Sequence, residues 1–290
     1  MNRSDANGGR NTVDNAQLAL LLEVSGTPKP GNVDRHRDLD GLRFEHFLAG
    51  TVGARRGLQQ AADGEAVGAA FEQTIAGMAT QRGGNTQFGC LLLLVPLIKA
   101  AASGSLTPTG VRSVVESTTV DDAVDFYRAF EHVDVAVDDP PLEADDLDVR
   151  RGSDAADTLR RRSLTLYDIM SLSADPDDRI GDGNAREWIS GFERTFRAAD
   201  ALLADEGPVG DRTARVFVDL LAERPDTLVA TSHGEAAARE VSERAAAVGG
   251  DLAAAEELAE AFVEDGYNPG TTADITAAAL FVALERGLDV

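Results

Sequence analysis

The strongest constraint on this chain is the spacing of its apolar residues, which recur three and four positions apart along most of its 290 residues. No alternating run with turn signals on both sides is long enough to argue for a sheet. Leu18, Leu21 and Leu22 share one face over residues 12–24, and Phe44, Phe47, Leu48 and Val52 begin a helix reaching residue 62. Gly64 separates it from a helix over 65–80. An apolar helix over 87–102 follows, expected to kink at Pro96 and, being apolar on all sides, to lie at the centre of the fold. Thr107 and Pro108 open the next helix, and residues 121–133 form another with Phe126, Tyr127 and Phe130 as its core contacts. Helical pattern resumes by Ala155, continues over 163–173 and returns around Glu187, Trp188 and Phe192. Beyond Asp211 the reading is nearly all helix: 216–221, a segment opened by Pro225, Asp226 and Thr227, then 235–248, 252–263 and 272–286. The spacing predicts an all-α protein, with residues 1–11 disordered and 12–290 forming a single multi-helix globular domain of about a dozen helices. An Asp-rich stretch at 134–152, carrying Pro140 and Pro141, reads as a loop.

Charge narrows the function classes. Fifty acidic residues against 27 basic ones leave a net charge of −23, spread along the chain, and the only lysines are Lys29 and Lys99. Self-repulsion on that scale keeps a protein soluble and, with lysine nearly absent, indicates adaptation to concentrated salt, where screening is strong. It argues against a nucleic-acid partner. Cys90 is the single cysteine, so an intrachain disulfide and a Cys-based zinc site are both excluded; its apolar neighbours predict a small buried hydrophobe. The longest apolar run, 90–98, is too short for a bilayer, and the first thirteen residues lack the apolar core of a secretion signal. These features predict a soluble cytoplasmic protein with no membrane partner.

Residues 23–40 gather Lys29, Arg35, Arg37, His36 and several carboxylates in one short loop. Pro28 and Pro30 fix the backbone around Lys29, and Gly26 and Gly31 allow turns that a side chain would forbid, so the loop reads as built to hold its charges still. Such an arrangement suits a polyanion bound with a metal. A lysine serving the negative end of the preceding helix is the plainer alternative. Gly84, Asn85 and Thr86 precede the apolar helix, where free amides can receive phosphate, although the same residues also make an ordinary capped turn. The acidic turn over 175–184 is not a calcium loop, because the twelfth position counted from Asp175 is Arg186 and not a glutamate. His36, His46, His132 and His233 show no metal-binding spacing; His36 is a candidate loop contact.

Taken in order, these segments resemble the triphosphoribosyl-dephospho-CoA synthase family, over about residues 18–284. T-P-K-P-G at 27–31 followed by Val33 and Asp34 is similar to the family's T-P-K-P-G-L-V-D, with Glu23 upstream; Arg37-Asp38-Leu39 resembles its H-x-D-M segment. Gly84, Asn85, Thr86 and Gly89 resemble G-x-N-T-H-K-G, and Glu187, Gly191 and Phe192 resemble G-E-A-x-x-G-[FY]. Residues 225–229 are similar to G-D-T-N-V, His233-Gly234 replaces R-G-G, and residues 269–274 resemble the family's P-G-G-S-A-D. The resemblance implies an all-α enzyme in which ATP gives its triphosphoribosyl unit to the ribose 2′-hydroxyl of dephospho-CoA and adenine departs. It implies Lys29, Gly31, Arg35, Arg37, Gly84, Asn85 and Thr86 on the nucleotide, Asp34, Asp38 and Asp274 on magnesium, and Glu23, Glu187 or Asp226 in catalysis. Plainer readings exist for three of these: Asp226 and Asp274 as helix caps, and Glu187 as a carboxylate near a helix start. Gln87 and Phe88 stand where the family has His and Lys, which leaves open another acceptor, water as acceptor, or a non-catalytic nucleotide-binding protein.

Overall fold

Side chains that take up otherwise free amides set where the helices begin. In the computed structural model, which describes residues 9–140, 144–174 and 180–290, Asn11 caps the first helix by accepting from the Asp14 amide at 2.9 Å. Thr107, Thr119, Asp182, Asp226 and Asp251 cap later helices in the same way. The first half of the described chain contains α1 (Thr12–Ser25), α2 (Phe44–Ala62), α3 (Val67–Met78), α4 (Phe88–Ala102), α5 (Pro108–Glu116) and α6 (Val120–Ala129). Next come α7 (Ala156–Arg162), α8 (Leu166–Ala174), α9 (Gly183–Ser190), α10 (Glu193–Ala204) and α11 (Val209–Glu223). The chain closes with α12 (Thr227–His233), α13 (Glu235–Val248), α14 (Leu252–Glu264) and α15 (Gly270–Glu285). Among the described residues there is no strand, only two isolated bridges within the 34–42 loop, so the architecture is all-α as the periodicity predicts.

The centre belongs to α4 and α15. Every residue from Leu91 to Ile98 is buried, and so is every residue from Ile275 to Leu284. Around α15 pack α1, α4, α10 and α11; α2 and α3 lie against α4 from the other side. The helices α2 and α3 approach so closely that a Cβ on Gly53 would stand 2.2 Å from the Gly77 carbonyl oxygen, so only glycine fits there. An aromatic cluster joins α3, α4 and α6, with ring centroids of Phe71 and Phe88 at 5.1 Å and of Phe88 and Phe130 at 4.8 Å. A second apolar cluster around Phe217 and Phe262 unites α11, α13 and α14.

Some elements differ from the sequence reading. The helix α10 begins without a capping side chain, directly after Phe192, whose backbone is left-handed at φ 63°; the usual start signal is missing. Pro96 lies inside α4, which runs on past it as one helix. Within the expected acidic loop, 3-10 turns form at Asp145–Leu147 and Val149–Ala155. Residues 1–8 of the stretch expected to be disordered, Pro141 and the acidic 175–179 segment lie outside the described residues; Arg10 is tied to Asn15 by a 3.0 Å hydrogen bond. No described helix is long and apolar enough to cross a membrane.

Candidate active site

The corner where α4, α9, α12 and α15 begin is built from side chains that bond to the start of a neighbouring helix. Asp226 caps α12 with one carboxylate oxygen, and its other oxygen accepts from both the amide and the hydroxyl of Thr272 on α15, each at 2.7 Å. Burial pushes the Asp226 carboxyl up, and these bonds oppose the rise. Thr227 and Thr271 hydroxyls meet at 2.8 Å, and the Gly183 amide donates to Thr227 at 3.3 Å, which brings α9 in. Asn184 Nδ2 donates to Asp274 Oδ2 at 2.8 Å, and Cys90 Sγ donates to Asp274 Oδ1 at 3.1 Å. Gly89 permits this meeting of three helices, because a Cβ there would lie 1.9 Å from Asp274 Oδ2.

Beside this corner opens a cavity of 610 Å³, within the range of small-molecule sites. Glu23, Asn32, Asn85, Thr86, Asn184 and Asp274 are among its lining residues, so four chain-distant loops and helix starts converge on it. Two buried polar atoms of residues that line it, Thr86 Oγ1 and Asn184 Oδ1, have no hydrogen-bond partner; Thr86 Oγ1 lies against Gly50 of α2. A buried polar atom left unpaired is costly. Asp274, bonded to Asn184, lines the cavity. Burial pushes its carboxyl up to about 7; the Asn184 and Cys90 bonds pull the other way, and the charges of Asp226 and Glu23 add to the rise. A carboxyl poised near neutrality can both take and return a proton. Burial pushes the Cys90 thiol far up, so it acts as a donor to Asp274 and not as a thiolate. The starts of α4, α9 and α15 line the same cavity, and helix starts favour an anion, although the Phe88, Ala185 and Thr272 amides there already donate to Asn85, Asp182 and Asp226.

The proline-rich loop of residues 26–37 is arranged differently. Lys29 is fully buried, ion-paired to Glu23, donating to Asn32 Oδ1 at 2.9 Å and packed 5.8 Å from the Phe217 ring centroid. It lies behind the cavity wall and does not line it. Burial pushes the Glu23 carboxyl up, with Lys29 opposing. Asp34 accepts from Thr27, the Lys29 amide, the His36 amide and Arg37, so its carboxylate is taken up within the loop. Arg37 is held by Asp34 at 2.9 Å and by Glu256 on α14, while Arg35 is exposed; neither lines the cavity. Gly31 packs under residues 267–269, and Gly84 is exposed at the surface turn.

The three expected metal ligands are not brought together. Asp38 is exposed and caps α2 through the Phe44 amide at 2.8 Å, Asp34 is saturated, and Asp274 faces the cavity alone. Among the described residues no group of three or more His, Cys, Asp or Glu is placed to hold a metal ion. Glu187 is also absent from the cavity lining. Its carboxylate accepts from the Thr195 amide at 2.9 Å and the Thr195 hydroxyl at 2.7 Å, securing the first turn of α10. Asn184 and Cys90 were not among the expected site residues. Their sequence signals, an Asp-Gly-Asn turn and a cysteine in an apolar run, are those of ordinary structure.

Similarity to known proteins fits this geometry. A crystal structure from Archaeoglobus fulgidus, provisionally named a triphosphoribosyl-dephospho-CoA synthase, superposes with a TM-score of 0.68 at 27% identity, covering 84% of this chain and 100% of that one. The helical scaffold is thus that of an enzyme class that transfers a ribosyl unit. The family model described as ATP:dephospho-CoA triphosphoribosyl transferase matches residues 10–289, and the chain belongs to that family. It transfers the triphosphoribosyl unit of ATP to dephospho-CoA. No protein of curated function matches it significantly.

Proposed function

We propose that the transfer takes place in the 610 Å³ cavity, with Asp274 as the group that accepts the hydroxyl proton. The observation that carries this reading is the raised carboxyl of Asp274 in the lining of the cavity, held there by Asn184 and Cys90. The bond between the ribose anomeric carbon of ATP and adenine breaks, and a bond forms from that carbon to the acceptor's 2′-oxygen. The hydroxyl proton goes to Asp274, the departing purine takes a proton from water, and Asp274 returns its own to water, so charge and protons balance. Electron deficiency at the anomeric carbon is offset by the Glu23 carboxylate, which Lys29 holds at the wall. The triphosphate lies toward the starts of α4, α9 and α15, where Asn85 and Thr86 join the anion site.

Magnesium enters in this scheme as the counter-ion of the ATP tail, that is, as part of the substrate. Asp34, Asp38 and Asp274 do not fit a resident magnesium site, for the reasons of geometry given above. Use of ATP supports a cytoplasmic location, and the net charge of −23 suits concentrated salt. The test is product mass together with adenine release from ATP in the presence of dephospho-CoA. Acceptor-dependent release that vanishes in Asp274→Asn supports the assignment; full turnover in that variant overturns it.

A further inference from the structure

Lys29 does not line the cavity, yet its hydrogen bonds lead there. Its ammonium is ion-paired to Glu23 and donates to Asn32 Oδ1 at 2.9 Å, and Asn32 Nδ2 donates to Asn268 Oδ1 at 2.9 Å. An ammonium can only donate, so Asn32 must turn its oxygen to Lys29 and its nitrogen to Asn268, and Asn268 must answer with its own oxygen. The buried end of the chain therefore fixes the orientation of both carboxamides. What is left over is Asn268 Nδ2, which has no partner within the protein and stays accessible. Asn32 and Asn268 both line the cavity.

The meeting of these two distant loops is built into the backbone. A turn holds Asn32, whose amide donates to the Lys29 carbonyl at 3.1 Å. Gly31, at φ 75°, lies so close under residues 267–269 that a Cβ would stand 2.8 Å from the Tyr267 carbonyl oxygen and 2.9 Å from Pro269 Cδ. Only glycine fits there. A bond given by an ammonium is stronger than a neutral one, and each bond in a chain polarises the next. The donor at the far end of this chain thus suits a negatively charged oxygen, and Asn268 stands just before α15, where the scheme above puts the triphosphate. We propose that Asn268 binds a phosphate oxygen of the nucleotide through Nδ2, with Asn32 and Lys29 as positioning residues that aim this donor from behind the wall. This rests on the reading that the substrates bind in this cavity. The triphosphate of ATP and the pyrophosphate of the acceptor share the required chemistry, and kinetics separates them.

The experiment measures initial rates of adenine release at varied ATP and varied dephospho-CoA. Asn268 is half-buried in a loop, so its substitution carries little risk to the core. Asn268→Ala should raise at least one KM about tenfold or more, as expected for losing a hydrogen bond to a charged group, while kcat stays within about threefold. A rise in KM for ATP identifies the triphosphate as the partner; a rise in KM for dephospho-CoA identifies the pyrophosphate. Asn268→Asp keeps an oxygen for Asn32 but turns a second, negative one outward, and should raise the same KM by about 10²-fold or more. Asn32→Asp still accepts from Lys29 and offers its other oxygen to Asn268, which then turns its nitrogen inward. That variant should raise the same KM although Asn268 is unchanged, and adding Asn268→Ala to it should cost no more than about threefold further. Additive losses would overturn the relay, since a merely structural Asn32 or a bare effect of the new charge acts independently of Asn268. Unchanged KM values in both Asn268 variants, with Asp274→Asn inactive, would overturn this proposal alone. Full turnover in Asp274→Asn would instead overturn the reading beneath it.

Discussion

The loop of residues 26–37 and the corner of α9 and α15 make an instructive pair. Both concentrate charged or polar side chains, and both lie next to the same cavity. In the loop the groups satisfy one another: Lys29 is spent on Glu23 and Asn32, and Asp34 on Thr27 and Arg37. At the corner the set is incomplete, with Asn184 Oδ1 unpaired beside a carboxyl pushed up to about 7. Density of charge in a sequence thus marks a place that must be held together. Incomplete bonding of buried groups is what sets the corner apart.

The largest expected effect that tests this contrast is at Asp274. Asp274→Asn keeps the shape and should cost roughly 10²- to 10⁴-fold in kcat, the usual span for removing a general base. The fold should survive, because the folded carboxyl sits at about 7 against an ordinary 3.8. The folded protein therefore holds a proton that the unfolded chain has released, and stability falls as pH rises through that window. Urea unfolding should show Asp274→Asn gaining on the parent as pH rises toward 7 and holding its lead above it. In the parent, kcat should rise with pH through the same region to a plateau.

Lys29→Ala comes next. It leaves the buried Glu23 carboxylate uncompensated and should cost about 3–5 kcal/mol in unfolding free energy. Unchanged stability with a weakened KM for ATP would break the contrast by showing that Lys29 faces the nucleotide. Gly89→Ala should be smaller, roughly 1–3 kcal/mol in transition-state stabilisation, because its Cβ displaces Asp274 and Asn184 from each other. The kcat from initial rates should fall while the far-ultraviolet spectrum stays helical. Glu187→Gln should be the mildest, about 1 kcal/mol in stability with kcat retained, since one of two bonds to Thr195 can persist.

The fold was largely legible because local signals agreed with packing. Asn11 and Thr107 mark helix starts by their side chains, and the all-round apolar character of α4 predicts its central burial. The helix α10 was hidden because its start depends on a buried, left-handed Phe192 and on Glu187 reaching back from the preceding helix, a tertiary cap with no local signature. The site was legible as a set of loops more than as a set of roles. The structure brings Glu23, Asn85, Thr86 and Asp274 to one cavity, as a shared pocket requires. It withholds Lys29, Arg35, Arg37, Asp34, Asp38, Glu187 and Asp226 from the lining: Lys29, Asp34, Asp38 and Glu187 are taken up by partners within eight residues, and Arg37 and Asp226 also by distant ones. Arg37 meets Glu256, and Asp226 meets Thr272; both pairings are long-range. Asn184 escaped notice because what distinguishes it is a missing bond.

The starts of α4, α9 and α15 press three like electrical poles into one small space. Poles of the same sign push apart, and on the proposed reading a polyanion settling among them would ease that repulsion. Nucleotides should consequently act as a thermal brace graded by their tails: melting temperature at equal concentration climbs from adenosine through AMP and ADP to ATP.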